Sequence, residues 1–205
     1  ARALATSPNL LLLDEPLAAL DAGTRASVRR DLRQHLATFA GVAIVVTHDP
    51  VDAYALADRV AVLDAGRIVQ TGTLADVTAH PRSRYVAELV GVNLVAGDVV
   101  DGVLTTATGV RVVVADAPTG PVLAVIRPHS IALVREPTEL SSVRNAWSGT
   151  IAEIDRLGDR ARIGVVGTLA LTAEITTAAL DALQLHIGDP ITATVKATEV
   201  EVYPA

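Results

Sequence analysis

Three side chains stand where aliphatic runs end. Asp14 and Glu15 follow the run from Leu10 to Leu13, and His48 follows the run from Val42 to Val46. Continuous apolar runs of this length suit buried strands of a parallel sheet. In such sheets ligands bind beyond the carboxyl ends of the strands, so the three groups could converge on one crevice. A carboxylate there can reach the water shell of a phosphate-bound Mg²⁺. A second carboxylate beside it can take a proton from an attacking water. An imidazole can face a terminal phosphate and stabilise the charge that develops on it. Taken singly, an Asp-Glu pair after a strand is more often a solvated loop.

A second group lies far along the chain. Ser142-Val143-Arg144-Asn145 precedes one expected strand, and Lys196-Ala197-Thr198-Glu199-Val200 lies in the last. Hydroxyl, guanidinium and ammonium donors together suit a tetrahedral anion. Lys196 is the only lysine in an acidic chain. Chemistry alone leaves a second reading open, in which Arg144 and Lys196 are ordinary solvated charges.

The first group needs α/β elements to position it. Pro16 ends ladder pairing after the first strand. Asp21 is a candidate N-cap for an amphipathic helix from Ala22 to Ala40. That helix carries Val28, Leu32, Leu36 and Phe39 on one face, Arg25, Arg29 and Arg33 away from it, and Gly41 at its end. A short helix from Pro50 to Ala57, a hairpin across Asp64-Ala65-Gly66-Arg67, and helices near 74–79 and 83–90 follow.

Near Gly91 the texture changes to short Val- and Thr-rich stretches with Gly turns. Strands are expected at 110–115, 122–127, 131–134, 149–154, 161–166, 170–174 and 191–202, with one helix from Thr176 to Leu183. This pattern suggests a small β-barrel. No internal repeat is evident in the sequence. The fold class is therefore α/β, a parallel sheet with helices, followed by a small all-β barrel, with the boundary near residues 91–95.

Composition narrows the partners. The net charge is −6 and the isoelectric point about 5.3, which argues against nucleic acid. The absence of cysteine excludes disulfides and thiolate metal sites and fits a reducing compartment. No apolar run approaches the roughly 18–20 residues of a membrane span, so membrane contact is expected through a partner protein. The chain has no methionine, so Ala1 is not a translation start, and a piece of a longer protein is expected.

The strings Leu10-Leu11-Leu12-Leu13-Asp14-Glu15-Pro16, Ala18-Ala19-Leu20-Asp21 and Val46-Thr47-His48-Asp49 together resemble the ABC ATPase family. They match its Walker B motif with catalytic glutamate, its D-loop and its switch histidine. The opening Ala1-Arg2-Ala3-Leu4 resembles the helix after that family's signature loop. Asp58-Arg59-Val60 and the Gly66 hairpin match its continuation. The resemblance implies a partial P-loop NTPase over residues 1–92, acting on ATP with Mg²⁺. Asp14 would serve the metal through water, Glu15 the attacking water, and His48 the γ-phosphate. Asp21 would lie near the seam of a dimer of such subunits. Two features depart from the family. No Gly-x-x-x-x-Gly-Lys-Ser/Thr phosphate cradle occurs in the sequence, nor do the glutamine and signature loops, so the chain alone is expected to be catalytically silent. Ala18 stands where the D-loop often has serine.

The stretch from Ser142 to Pro204 resembles the molybdate-binding Mop/TOBE domain, with its Ser-Ala-Arg-Asn and Lys-Ala-Thr-Glu-Val signatures. The resemblance implies an OB-like barrel within residues 93–205, its core about 142–204. The oxyanion would be held by Ser142, Arg144, Asn145, Lys196 and Ala197. Val143 replaces a smaller residue and could narrow the site. Sites of this family lie at interfaces between domains or subunits. Ile126-Arg127-Pro128-His129 resembles the regulatory-domain strand of importer ATPases more widely, so it does not fix the cargo.

Together the resemblances imply the ATP-binding subunit of a bacterial importer, with molybdate as the leading cargo. Such a subunit sits peripherally on the cytoplasmic face of the plasma membrane, bound to a permease and to a second copy of itself. The alternatives are an importer of sulfate, polyamine or sugar, and a non-enzymatic molybdate-binding or storage protein. A storage protein has no use for Asp14, Glu15 and His48. A molybdate-responsive DNA regulator would need a helix-turn-helix and a basic face, and neither is visible.

Overall fold

A computed structural model describes residues 8–135 and 142–205, and the opening Ala1-Arg2-Ala3-Leu4 lies outside the described residues. The chain divides into two compact units, residues 1–79 and 80–205.

In the first unit, strand β1 (Leu10–Asp14) pairs in parallel with β2 (Val42–Val46), from Leu10 opposite Val42 to Asp14 opposite Val46. The intervening helix α1 (Ala22–Ala37) begins at Asp21, whose side chain accepts from the Thr24 amide. It ends before Gly41, at Thr38, whose hydroxyl bonds back to the carbonyls of Gln34 and His35. Gly41 serves another purpose, because a Cβ there would come within 2.5 Å of the Asn9 carbonyl oxygen. Helix α2 (Pro50–Leu56) starts on the Asp49 cap with Pro50 in its first turn. The hairpin β3 (Val60–Asp64) and β4 (Arg67–Gly72), then α3 (Leu74–Ala79), complete the unit.

One expectation is corrected here. The aliphatic strands are not buried as a pair. Leu11 is buried, but Leu10, Leu12, Val42, Ile44 and Val46 are all about half exposed or more. A parallel strand is buried only when both sheet faces are covered, and among the described residues β1 and β2 form a sheet of two. Off the apolar stripe of α1, Arg25 and Arg29 both find partners. Both are half-buried against α2, where Arg29 pairs with Asp52 at 2.5 Å and Arg25 with Asp49 at 3.2 Å.

The second unit opens with α4 (Arg84–Val90), capped by Ser83 and closed by Gly91 at φ 75°, a left-handed geometry natural to glycine. Fourteen strands run through the described chain, and ten of them build this unit as two five-stranded antiparallel sheets. One contains β5 (Asn93–Val100), β6 (Val103–Thr105), β7 (Arg111–Val113) and β8 (Gly120–Ile126), edged by β14 (Val200–Pro204). The other contains β10 (Asn145–Leu157), β11 (Arg160–Gly167), β12 (Leu171–Thr176) and β13 (Pro190–Val195), edged by β9 (Ala132–Val134). Their inner faces share one core, with Val99, Leu104, Val112 and Ile126 from the first and Trp147, Ile151, Ile163 and Val195 from the second. A helix, α5 (Thr177–Ala182), stands where one was expected.

The sheets are the same motif used twice. The order β14-β8-β5-β6-β7 maps strand by strand onto β9-β13-β10-β11-β12. Each half donates its last strand to the other's sheet. The sequence hides this repeat because β6 and β7 are three residues long where β11 and β12 have eight and six. The exchange also breaks the expected single strand at 191–202. A 3-10 turn at Ala197–Glu199 separates β13 from β14, which lie in different sheets. β5 and β6 are additional to the expected strands.

Two asparagines, Asn145 buried and Asn93 half-buried, tie the two sheets at equivalent places. The Asn145 side chain accepts from Val113 N at 2.7 Å and donates to Val113 O at 2.9 Å. The Asn93 side chain accepts from Thr172 N at 2.7 Å and donates to Thr172 O at 2.9 Å. Each amide acts as an extra rung between β-sheets.

Tyr203 closes the unit. Its hydroxyl donates to the Pro81 carbonyl at 2.5 Å, and its ring meets His80 edge-on at 4.9 Å. Burial pushes its ionisation up to about 12. The folded state thus retains a proton that the unfolded chain releases near 10, and this stabilisation is lost as pH rises from about 10 through 12. Tyr203→Phe is expected to cost about 1–3 kcal/mol in urea unfolding at neutral pH, because the Pro81 carbonyl loses its donor. Unchanged stability would show that the bond contributes nothing.

Candidate functional site

The first group assembles at the carboxyl ends of β1 and β2. Asp14 is the last rung, exposed and opposite Val46. The Glu15 amide extends the ladder by donating to the Val46 carbonyl at 2.9 Å. Glu15 itself has φ 43°, a left-handed conformation costly for a residue with a side chain. This turns its carboxylate toward the loop after β2. There Oε1 accepts from the His48 amide at 3.1 Å and from His48 Nδ1 at 2.7 Å. With Nδ1 carrying that proton, Nε2 is the nitrogen left to meet a ligand. The ring is 81 % exposed, so Nε2 is accessible.

The bond to Glu15, reinforced by its negative charge, raises the His48 pKa above the ordinary imidazole value. The pair therefore contributes stability below that ordinary value and loses it as pH rises through the raised one. Asp21 stands at the α1 N-terminus, and its bonds from Thr24 hold its carboxyl below the usual range. Arg25, which lies off the apolar face of α1, joins this site. Its guanidinium spans the Ala18 carbonyl at 3.3 Å and the Asp49 carboxylate at 3.2 Å. The signal available was its place four residues after the Asp21 cap, which turns it toward α2.

The second group also converges, through strand register. β10 and β13 pair antiparallel with Asn145 opposite Val195. One residue further out along the same two strands come Arg144 and Lys196, both exposed. Ser142 is exposed three residues before the rung, and Ala197 begins the 3-10 turn. Asn145 plays a different part from the one the resemblance implied. It is 2 % exposed and both polar atoms of its amide are engaged with Val113, so its side chain anchors the strand that presents Arg144.

The TOBE domain family matches residues 141–202. The whole chain aligns with the molybdenum import ATP-binding protein ModC of Mycobacterium tuberculosis, at 41 % identity over 214 residues and 58 % of that protein. The chain is related to the C-terminal portion of ABC import ATP-binding subunits and carries a TOBE domain. It spans 58 % of the length of these curated relatives. The sulfate/thiosulfate import ATP-binding protein CysA of Burkholderia pseudomallei also aligns over the whole chain, at 36 % identity and 58 % of its own length. Relatives with different cargo thus share this region. Among solved structures, the cytoplasmic molybdate-binding protein ModG, crystallised with molybdate, is similar at a TM-score of 0.50 and 21 % identity. The match covers 55 % of this chain and 96 % of that one, and it shows the fold of the β-rich unit.

Proposed function

We propose that this chain is part of the ATP-hydrolysing subunit of a bacterial importer, and that its second unit senses the imported oxyanion, molybdate first. The observation that carries the first part is the Glu15–His48 hydrogen bond at the carboxyl ends of adjacent parallel strands. It joins a base to a phosphate-facing imidazole. With Oε1 held by His48, Oε2 of Glu15 is the oxygen available to take a proton from water. His48 Nε2 supplies a donor for charge growing on a terminal phosphate when the ring is protonated. Asp14 is the residue that would hold the water shell of Mg²⁺. Among the described residues no cluster of three or more His, Cys, Asp or Glu could cage a metal. One lone carboxylate suits a magnesium ion carried on nucleotide phosphates, which keeps most of its waters. Bound ATP and Mg²⁺ would supply the transferable phosphoryl group and neutralise its charge.

The cargo reading rests on Arg144 and Lys196 flanking one rung. A dianion bound between them would gain charge-assisted bonds from both. A homodimer, a permease partner and a peripheral place on the cytoplasmic face of the membrane belong to the same proposal, by kinship with the import subunits.

Phosphate release tests the catalytic reading. The 205-residue chain is expected to show no Mg²⁺-dependent turnover, because it carries no phosphate-cradling lysine motif. The chain extended by its upstream coding sequence is expected to turn over. Hydrolysis by the 205-residue chain, abolished by Glu15→Gln, would contradict the division of labour proposed here.

A further inference from the structure

We infer that Arg25 is a positioning residue that locks the loop carrying His48 to the turn leading into Asp21, so that the two move as one body. This rests on the reading of Glu15 and His48 as a working pair and adds to it the part that fixes their geometry.

The connections form a closed ring. Glu15 Oε1 receives both the His48 amide and its Nδ1. Asp49, the next residue, caps α2 through the Val51 amide at 2.8 Å with one oxygen and meets Arg25 Nη1 at 3.2 Å with the other. The other terminal nitrogen of Arg25 donates to the Ala18 carbonyl at 3.3 Å. From Ala18 the chain returns to Glu15 through a turn in which the Ala18 amide donates to the Glu15 carbonyl at 3.2 Å and Leu20 to Leu17 at 3.2 Å. Leu17 anchors that turn at 1 % exposure.

The arginine is held, not waving in solvent. Its side chain is 30 % exposed, and its Nε is buried with no hydrogen-bond partner. A planar guanidinium can bridge two acceptors in fixed directions, whereas an ammonium is a point charge on a flexible stem. The neighbouring Arg29–Asp52 pair already fastens α1 to α2, with Asp52 5 % exposed. Arg25 is therefore free to serve the loops. Its effect is to make any shift of the Ala18–Asp21 turn pull on His48 through Asp49.

The test is the His48 imidazole titration by NMR in the intact 205-residue chain, with amide exchange at Leu20 followed in parallel. The charged groups around the ring are Glu15, Asp49 and Arg25. Deleting a nearby positive charge should by itself raise the His48 midpoint. If Arg25 instead holds the loop, Arg25→Ala loosens the Glu15–His48 bond and the midpoint falls toward about 6.5. The expected result is that fall, with Leu20 exchanging at least about tenfold faster, and partial recovery in Arg25→Lys. A midpoint that rises or stays put in Arg25→Ala overturns the inference. Should Arg25→Ala fail to fold, Arg25→Lys decides alone: a fall supports the lock and an unchanged midpoint refutes it. This readout needs no turnover, so it stands apart from whether the extended chain hydrolyses ATP.

Discussion

Glu15→Gln in the extended subunit is expected to lower ATP turnover by a factor of about 10²–10⁴, the usual contribution of a positioned general base. Glutamine fills the same volume and still accepts the bond from His48 Nδ1 through its carbonyl oxygen. It cannot take a proton from water. ATP binding should survive, so the variant should accumulate as an ATP-bound dimer visible by size exclusion. The His48 midpoint should fall at the same time, because the bond and charge that raise it both come from the Glu15 carboxylate. Persistent hydrolysis in a variant that stays monomeric would remove Glu15 from the role of base.

Much of this site was legible because the elements that place it are local. An aliphatic run, an acidic pair and a proline specify the end of β1 without reference to distant residues. Asp21 and Asp49 announce α1 and α2 by capping chemistry. The bond between Glu15 and His48 needs only β1 and β2 to be adjacent and parallel. What the pattern could not supply was the destination of the charges. Arg25 and Arg29 lie off the apolar stripe of α1, and a stripe says nothing about which other face a second helix will cover. Nor could hydropathy show that Leu10, Leu12, Val42 and Ile44 are half exposed or more, since a buried-strand composition needs covering layers that the two described strands do not have.

Arg144→Ala and Lys196→Ala are each expected to weaken molybdate binding by roughly ten- to hundredfold, about 1.5–3 kcal/mol for a charge-assisted bond. The two residues flank the same rung, so their effects should not add. Ser142→Ala should matter less, because it removes a neutral donor. Titration calorimetry on the native oligomer measures all three. Binding that neither cation influences would put the anion elsewhere.

In the second unit the strands were legible one by one and their arrangement was not. Val- and Thr-rich stretches between Gly turns mark strands through β-propensity and turn chemistry. Sheet order is a long-range property, and here it depends on an exchange. The run from Ile191 to Val202 has unbroken strand composition, yet Val195 ends one strand and Val200 begins another in the opposite sheet. The pairing of β10 with β13 places Arg144 and Lys196 each one residue beyond the same rung, after a sequence separation of 52 residues, 196 minus 144. Asn145 shows how a motif residue can carry a fold. Its amide supplies a rung to Val113, and its equivalent Asn93 does so to Thr172.

Molybdate sensing would separate this subunit from importers of other cargo, and wild-type titration of molybdate into the 205-residue chain, as its native oligomer, tests it most directly. Saturable binding of molybdate, weakened by Arg144→Ala and by Lys196→Ala, is the predicted result. No heat of binding in that oligomer would contradict it and return the cargo to sulfate, polyamine or sugar.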